Sequence, residues 1–121
     1  MAKKILVVDD NPDILMMLDG RLKTSGYEVR GVLNGVAALK QIEVEPPDLI
    51  LLDIMMPGME GNVLAQTLKE SPRWKEIPIV FMTALRKSEE QEQAGAQVGT
   101  NIIFSKPFEF SELLETIQTL I

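Results

Sequence analysis

Short, unbroken apolar runs separated by longer amphipathic stretches constrain this chain more than any other feature. The runs are Ile5–Val8, Leu49–Leu52, Ile79–Met82 and Ile102–Phe104. None of them alternates with polar residues, so each reads as a strand buried on both faces, as in a parallel sheet with helices on either side. A weaker run, Glu28–Val32, follows Ser25-Gly26. Its mixed polarity suits a sheet edge. The stretches between the runs carry helical signals. Asn11 is an N-cap residue with Pro12 at the first helical position, and Ile14, Leu18 and Leu22 follow at helical spacing. Asn34 opens a second helix carrying Val36, Leu39 and Ile42, which ends before Pro46-Pro47. A third spans about Asn62 to Glu70 and stops at Ser71-Pro72. A fourth, about Ser88 to Gln97, is poor in large apolar residues. It is expected to dock weakly and to exchange its amides faster than the last helix. That last helix, Phe110–Leu120, aligns Phe110, Leu113, Leu114, Ile117 and Ile121 on one stripe.

Strict alternation of strand and helix implies right-handed crossovers and a three-layer α/β sandwich. The 121 residues suit one domain, 1–121, with no linker, repeat or low-complexity tract. Function in such sheets gathers at the carboxyl ends of the strands. Composition narrows the chemistry available there. The chain has no Cys and no His, which removes thiolate chemistry, Ser-His-Asp catalysis, His-ligated zinc and a phosphohistidine donor role. Oxygen ligands remain, and they select hard cations. The net charge of −6 argues against direct nucleic-acid binding. Lys3-Lys4 and Arg86-Lys87, the only basic clusters, read as solvated ends of elements. No stretch reaches transmembrane length and the first residues do not form a signal peptide, so a cytoplasmic protein is expected.

Four of the five strands deliver polar residues to that edge: Asp9-Asp10, Asp53, Thr83 and Ser105-Lys106-Pro107. Three carboxylates converging on one pocket repel one another, and a divalent cation removes the conflict. Mg²⁺ prefers a few carboxylates, water and a phosphate oxygen. Lys106 adds a fixed positive charge and Thr83 a hydroxyl donor. Such a set suits phosphoryl transfer, which depends on positioning and charge neutralisation, with one carboxylate as nucleophile. Each residue has an ordinary alternative. Asp53 could cap a turn, Asp9 and Asp10 could favour a helix start, and Lys106 could be solvated. Their joint occurrence outweighs these. Met55, Met56 and Met59 read as packing residues, Gly58 and Gly61 as turn residues, and Trp74 as a surface packing residue.

Over essentially its full length the chain resembles the receiver domains of response regulators. The resemblance rests on Ile5-Leu6-Val7-Val8-Asp9-Asp10, on Pro47 through Gly61 with Asp53 at its centre, on Pro78 through Ala84, and on Ser105-Lys106-Pro107-Phe108. It implies a flavodoxin-like (βα)5 sandwich with a five-stranded parallel sheet of order 2-1-3-4-5. It implies Asp53 as phosphoacceptor, with Asp9, Asp10 and Asp53 holding Mg²⁺. Asp10 would be the direct ligand and Asp9 would act mostly through water. The backbone carbonyl of Met55 would be a further ligand. Thr83 and Lys106 would each meet a phosphoryl oxygen, and the Lys106-Pro107 bond would be cis.

The implied partners are a histidine kinase or histidine phosphotransfer protein and a downstream protein target. Contact with the target would be made through the face of the 88–97 helix, the Ile102–Phe104 strand and the Phe110–Leu120 helix. The molecule would be a monomer or weak homodimer, and no enzyme beyond its own phosphorylation and dephosphorylation. A natural single-domain regulator is favoured, and a receiver cut from a longer protein is also compatible with these residues. Family members often carry an aromatic residue where this chain has Ile103, so an aromatic rotamer switch is not expected and Thr83 with the 88–97 helix would carry the change. A phosphohydrolase of the haloacid dehalogenase type would want a second Asp two residues after the nucleophile, where Met55 stands. A flavodoxin-type carrier would want a Ser/Thr-rich loop in place of Asp9-Asp10-Asn11-Pro12. A receiver-like binding module without phosphorylation would lack acidic, hydroxyl or Lys positions that are all present here.

Neither Met55 nor Leu85, two residues after Asp53 and Thr83, can orient water by a strong hydrogen bond. Slow loss of the acyl phosphate is therefore expected, and Met55→Asn and Leu85→Glu should shorten its lifetime in a time course of intact mass. Unchanged lifetimes would reject this cause.

Overall fold

In the computed structural model, which describes residues 2–53, 61–83, 96–98, 101–105 and 109–121, the apolar runs form the middle of one sheet. The elements in chain order are β1 (Lys4–Val8), α1 (Pro12–Thr24), β2 (Glu28–Val32), α2 (Gly35–Val44), β3 (Leu49–Asp53), α3 (Gly61–Lys69), β4 (Ile79–Thr83), β5 (Ala96–Val98), β6 (Asn101–Ser105) and α4 (Phe110–Leu120). The sheet order is β2-β1-β3-β4-β6-β5. Pairing is parallel from β2 through β6, and β5 joins antiparallel to β6. No helix among the described residues is long and apolar enough to cross a membrane.

Alternate residues of each central strand enter opposite apolar layers, because side chains of a strand point to opposite faces. Ile5, Val7, Leu49, Leu51, Val80 and Met82 pack on one side with Leu18 and Leu22 of α1 and Leu113 and Ile117 of α4. Leu6, Val8, Ile50, Leu52, Ile79 and Phe81 pack on the other with Ala38 and Ile42 of α2 and Leu64, Ala65 and Leu68 of α3. Every residue of β3 is buried, which explains why its run shows no alternation. Phe110, Leu114 and Ile121 complete the expected stripe as partly buried neighbours of the first layer. Trp74 and Ile77 lean on the second.

The helix ends follow their local chemistry. The Asn11 side chain accepts from the Asp13 amide at 2.9 Å, and Asn34 accepts from Ala37 at 2.8 Å. At the end of α1, Gly26 donates to the Lys23 carbonyl and Tyr27 to that of Leu22, a pairing that closes a helix through a residue of positive φ. Gly26 has φ 100°, which a side chain would strain. Lys4 bonds Glu45 at 2.7 Å, tying the start of β1 to the end of α2. That hydrogen bond, reinforced by the Lys4 charge, holds the Glu45 carboxyl below its ordinary range. Its small contribution is present at neutral pH and is lost as pH falls through the lowered value.

Three expectations need correction. The sheet is neither wholly parallel nor five-stranded, since β5 adds an antiparallel edge. Residues 96 and 97, expected to end a helix, lie in that strand, while 88–95 fall outside the described residues. Val98 pairs with Asn101 in the same antiparallel ladder. A helix with few apolar anchors competes poorly with such pairing. Val36 is 54% exposed rather than part of the inward stripe of α2. Gly35, Ala38 and Ile42 face inward instead, because the cap at Asn34 sets the phase of the helix.

Leu51 is fully buried at the middle of the sheet. Leu51→Ala should lower unfolding free energy by about 2–5 kcal/mol, whereas Val44→Ala, at a position 81% exposed, should change it by less than about 0.5 kcal/mol. Urea titrations of the two variants check this, and similar losses in both would contradict the assigned core.

Candidate functional site

The parallel register aligns strand ends, and so decides which polar groups meet. Val8 pairs with Leu52, and Asp53 pairs with Met82. Asp9 is the first residue beyond β1 and Asp53 the last of β3, so the two sit side by side at the carboxyl edge. Asp9 is fully buried and Asp53 is 3% exposed, the only buried polar or charged residues among those described. Asp10 is exposed. One carboxylate oxygen from each of Asp9, Asp10 and Asp53 lies within 4.8 Å of the others.

Local bonds orient Asp9. Its amide donates to the Val32 carbonyl at 3.1 Å, anchoring the residue to the end of β2. Its Oδ1 accepts from the Asn11 amide at 2.9 Å. Asn11 then caps α1, so the carboxylate and the first turn of α1 share one residue. The expected Asp9-Asp10-Asp53 set is thus assembled as the spacing suggested. Thr83 is the last residue of β4 and its backbone pairs with Ser105 at the same edge; its side chain lies outside the described residues. Lys106 and Met55 also lie outside them, as do Met56, Gly58, Met59, Leu85 and Pro107. The bond from the Asn11 amide to Asp9 was not read from the sequence, where Asn11 stands only as a cap. An acidic residue two positions before an N-cap Asn is the signal that could have shown it.

Three carboxylates, two of them buried, concentrate negative charge where solvent cannot spread it. The donor set is all oxygen, which fits Mg²⁺ or another hard cation and no soft metal. Two oxygens on opposite sides of Mg²⁺ stand about 4.2 Å apart, at roughly 2.1 Å per bond. The cluster therefore needs only small side-chain shifts to hold one. A separate cleft, lined by Lys4, Tyr27, Glu28, Arg30, Gln41 and Glu45, lies at the amino ends of β1 and β2. It is remote from the carboxylates and plays no part in this chemistry.

The family model described as "Response regulator receiver domain" matches residues 5–118. The response regulator PleD of Caulobacter vibrioides is 36% identical over 120 residues, covering 99% of this chain and 26% of PleD. The alkaline phosphatase synthesis transcriptional regulatory protein PhoP of Bacillus subtilis is 37% identical over 122 residues, covering 100% of this chain and 49% of PhoP. The chain thus spans about a quarter and about half of these two relatives. Among solved structures, the response regulator protein TrrA of Thermotoga maritima, in complex with Mg²⁺-BeF, superposes with a TM-score of 0.80 at 34% identity, covering 98% of this chain and 99% of TrrA.

Removing one charge from the cluster should relieve its repulsion. In chelator at low ionic strength, Asp10→Asn should melt a few degrees above the unsubstituted chain. Saturating Mg²⁺ should erase or reverse the difference, because the variant loses a ligand as well as a repulsion. Thermal melts with and without Mg²⁺ check this, and an Asp10→Asn variant no more stable than the unsubstituted chain in chelator would contradict crowding of the three charges.

Proposed function

The chain belongs to the response regulator receiver domain family of two-component systems, and from that premise we propose that Asp53 takes a phosphoryl group from a partner's phosphohistidine while Asp9 and Asp10 hold Mg²⁺ beside it. The observation that carries this reading is the convergence of Asp9, Asp10 and Asp53 oxygens within 4.8 Å at the carboxyl edge of the sheet. A second support is TrrA, a relative of similar fold solved with Mg²⁺-BeF.

An oxygen of the Asp53 carboxylate attacks phosphorus as the phosphorus–nitrogen bond of the donor breaks. The donor imidazole keeps the electron pair and takes a proton. Asp53 then carries an acyl phosphate, and attack of water at phosphorus returns the carboxylate and inorganic phosphate. Mg²⁺, when bound, supplies charge neutralisation for the phosphoryl oxygens. Asp10 would be the direct ligand and Asp9 would act mostly through water, with Asp53 and the Met55 carbonyl as further ligands. Thr83, the last residue of β4, and Lys106, next in sequence after β6, each engage a phosphoryl oxygen.

The added charge draws Thr83 inward and alters the face of residues 88–97, β6 and α4, through which a downstream protein reads the state. Residues 1–121 act as one receiver domain, a signalling module rather than an enzyme with external substrates. It works in the cytoplasm, as a monomer or weak homodimer, with a histidine kinase or histidine phosphotransfer protein as donor.

Intact-protein mass after incubation with acetyl phosphate tests the chemistry. A single adduct is expected, dependent on Mg²⁺, labile in base and absent in Asp53→Asn. A folded protein that gains no adduct would reject phosphorylation and leave a constitutive binding module.

A further inference from the structure

β2 is the outermost strand on its side of the sheet and pairs with β1 alone. The Glu28 amide donates to the Lys3 carbonyl at 2.9 Å, and the Val32 carbonyl accepts from the Asp9 amide at 3.1 Å. The backbone groups of successive strand residues point to alternate sides of the strand. Glu28, Arg30 and Val32 therefore turn theirs toward β1, and Val29 and Gly31 turn theirs outward. An open row of this kind is a template for another strand unless something covers or blocks it. No proline interrupts β2. A cleft of about 420 Å³ runs beside its amino half, lined by Lys23, Tyr27, Glu28, Val29 and Arg30 among others, so α1 and α2 leave that space unfilled.

The side chains along this edge have a symmetric pattern. Val29 lies in the apolar layer shared with α1, and a Cβ at Gly31 would meet Leu15 of α1 at 3.4 Å. Glu28 and Arg30 alternate with these two and so share the opposite face. Both are exposed, and neither is in an ion pair among the described residues. Opposite charges thus stand on either side of Val29. A twofold axis through Val29 that brings two β2 strands together antiparallel sets Glu28 against the partner's Arg30, and Arg30 against the partner's Glu28. The same axis sets the outward amide and carbonyl of Val29 against those of the partner's Val29, where two backbone hydrogen bonds can form. In an antiparallel ladder the pairs flanking such a bonded pair are the close ones, with Cα atoms about 4.5 Å apart. A pairing shifted along the strand loses the charge match.

We propose that β2 is a self-association edge, through which two copies of this chain join antiparallel about Val29 into one continuous sheet. The self-complementary charges select a second copy over a strand of arbitrary sequence. The antiparallel sense points the Asp9-Asp10-Asp53 clusters of the two copies to opposite ends of the shared sheet, which leaves both accessible. Each copy carries a net charge of −6, which opposes pairing. A strand of five residues also buries little surface, so the dimer is weak and reversible.

Sedimentation equilibrium of the full chain, at protein concentrations from about 10 μM to 1 mM, tests this alongside Glu28→Arg, Arg30→Glu and the doubly substituted Glu28→Arg/Arg30→Glu chain. Each single reversal sets like charges opposite one another at both symmetric positions and should weaken association about tenfold. The double exchange restores opposite pairs and should return the affinity to within about twofold of the unsubstituted chain. Both positions are exposed, so the fold should survive, and far-ultraviolet circular dichroism checks that it does. Dimers indifferent to the single reversals would overturn the inference, as would a double variant no tighter than the single ones. A chain that remains monomeric throughout would overturn it as well, and would leave the edge to a strand of another protein.

Discussion

Parallel pairing of β1 with β3, with Val8 beside Leu52, sets the buried Asp9 next to the buried Asp53. The register itself is not free to slip. Moving either strand by one residue would turn its apolar side chains toward the wrong layer, and both layers here are filled by residues of near-zero exposure. Packing of Leu6, Val8, Ile50 and Leu52 on one face and Ile5, Val7, Leu49 and Leu51 on the other therefore enforces an electrostatically unfavourable contact. A core that tolerates no slip can hold two carboxylates together, and a site so held is arranged to take a positive ion. Stability of the sheet and function of its edge are opposite sides of one constraint.

The central sheet was legible because its signal is composition within short windows. Continuous apolar runs such as Leu49–Leu52 have few alternatives once helices flank them. Caps were legible as well, since Asn11-Pro12 and Asn34-Gly35 act within three residues. The phase of α2 was not. Val36 and Ala38 are both apolar, and apolar character alone does not say which of them the helix started at Asn34 turns inward. The edge beyond β6 was also misread. Ala96 and Gln97 both favour a helix, and their pairing with Ile103 and Ile102 is a gain that a helical reading of Ser88–Gln97 cannot weigh.

At the site, the identities of Asp9, Asp10 and Asp53 followed from their positions after strands. What the sequence could not show was how differently they are held. Asp9 is buried and bonded to Asn11, Asp53 is buried within the strand, and Asp10 is exposed. This inequality has a physical consequence. The exposed carboxylate has room to move that the two buried ones lack. Thr83 reaches the same edge through the β4–β6 pairing, its backbone opposite Ser105.

The most direct measurement is anomalous diffraction from a crystal of the chain soaked in Mn²⁺, which takes the same oxygen ligands as Mg²⁺. The account predicts one strong peak at the carboxyl edge of the sheet, within coordination distance of the Asp10 and Asp53 carboxylates and adjacent to Asp9. A fully soaked crystal with no ion there, or with its only ion held by other groups, would contradict it.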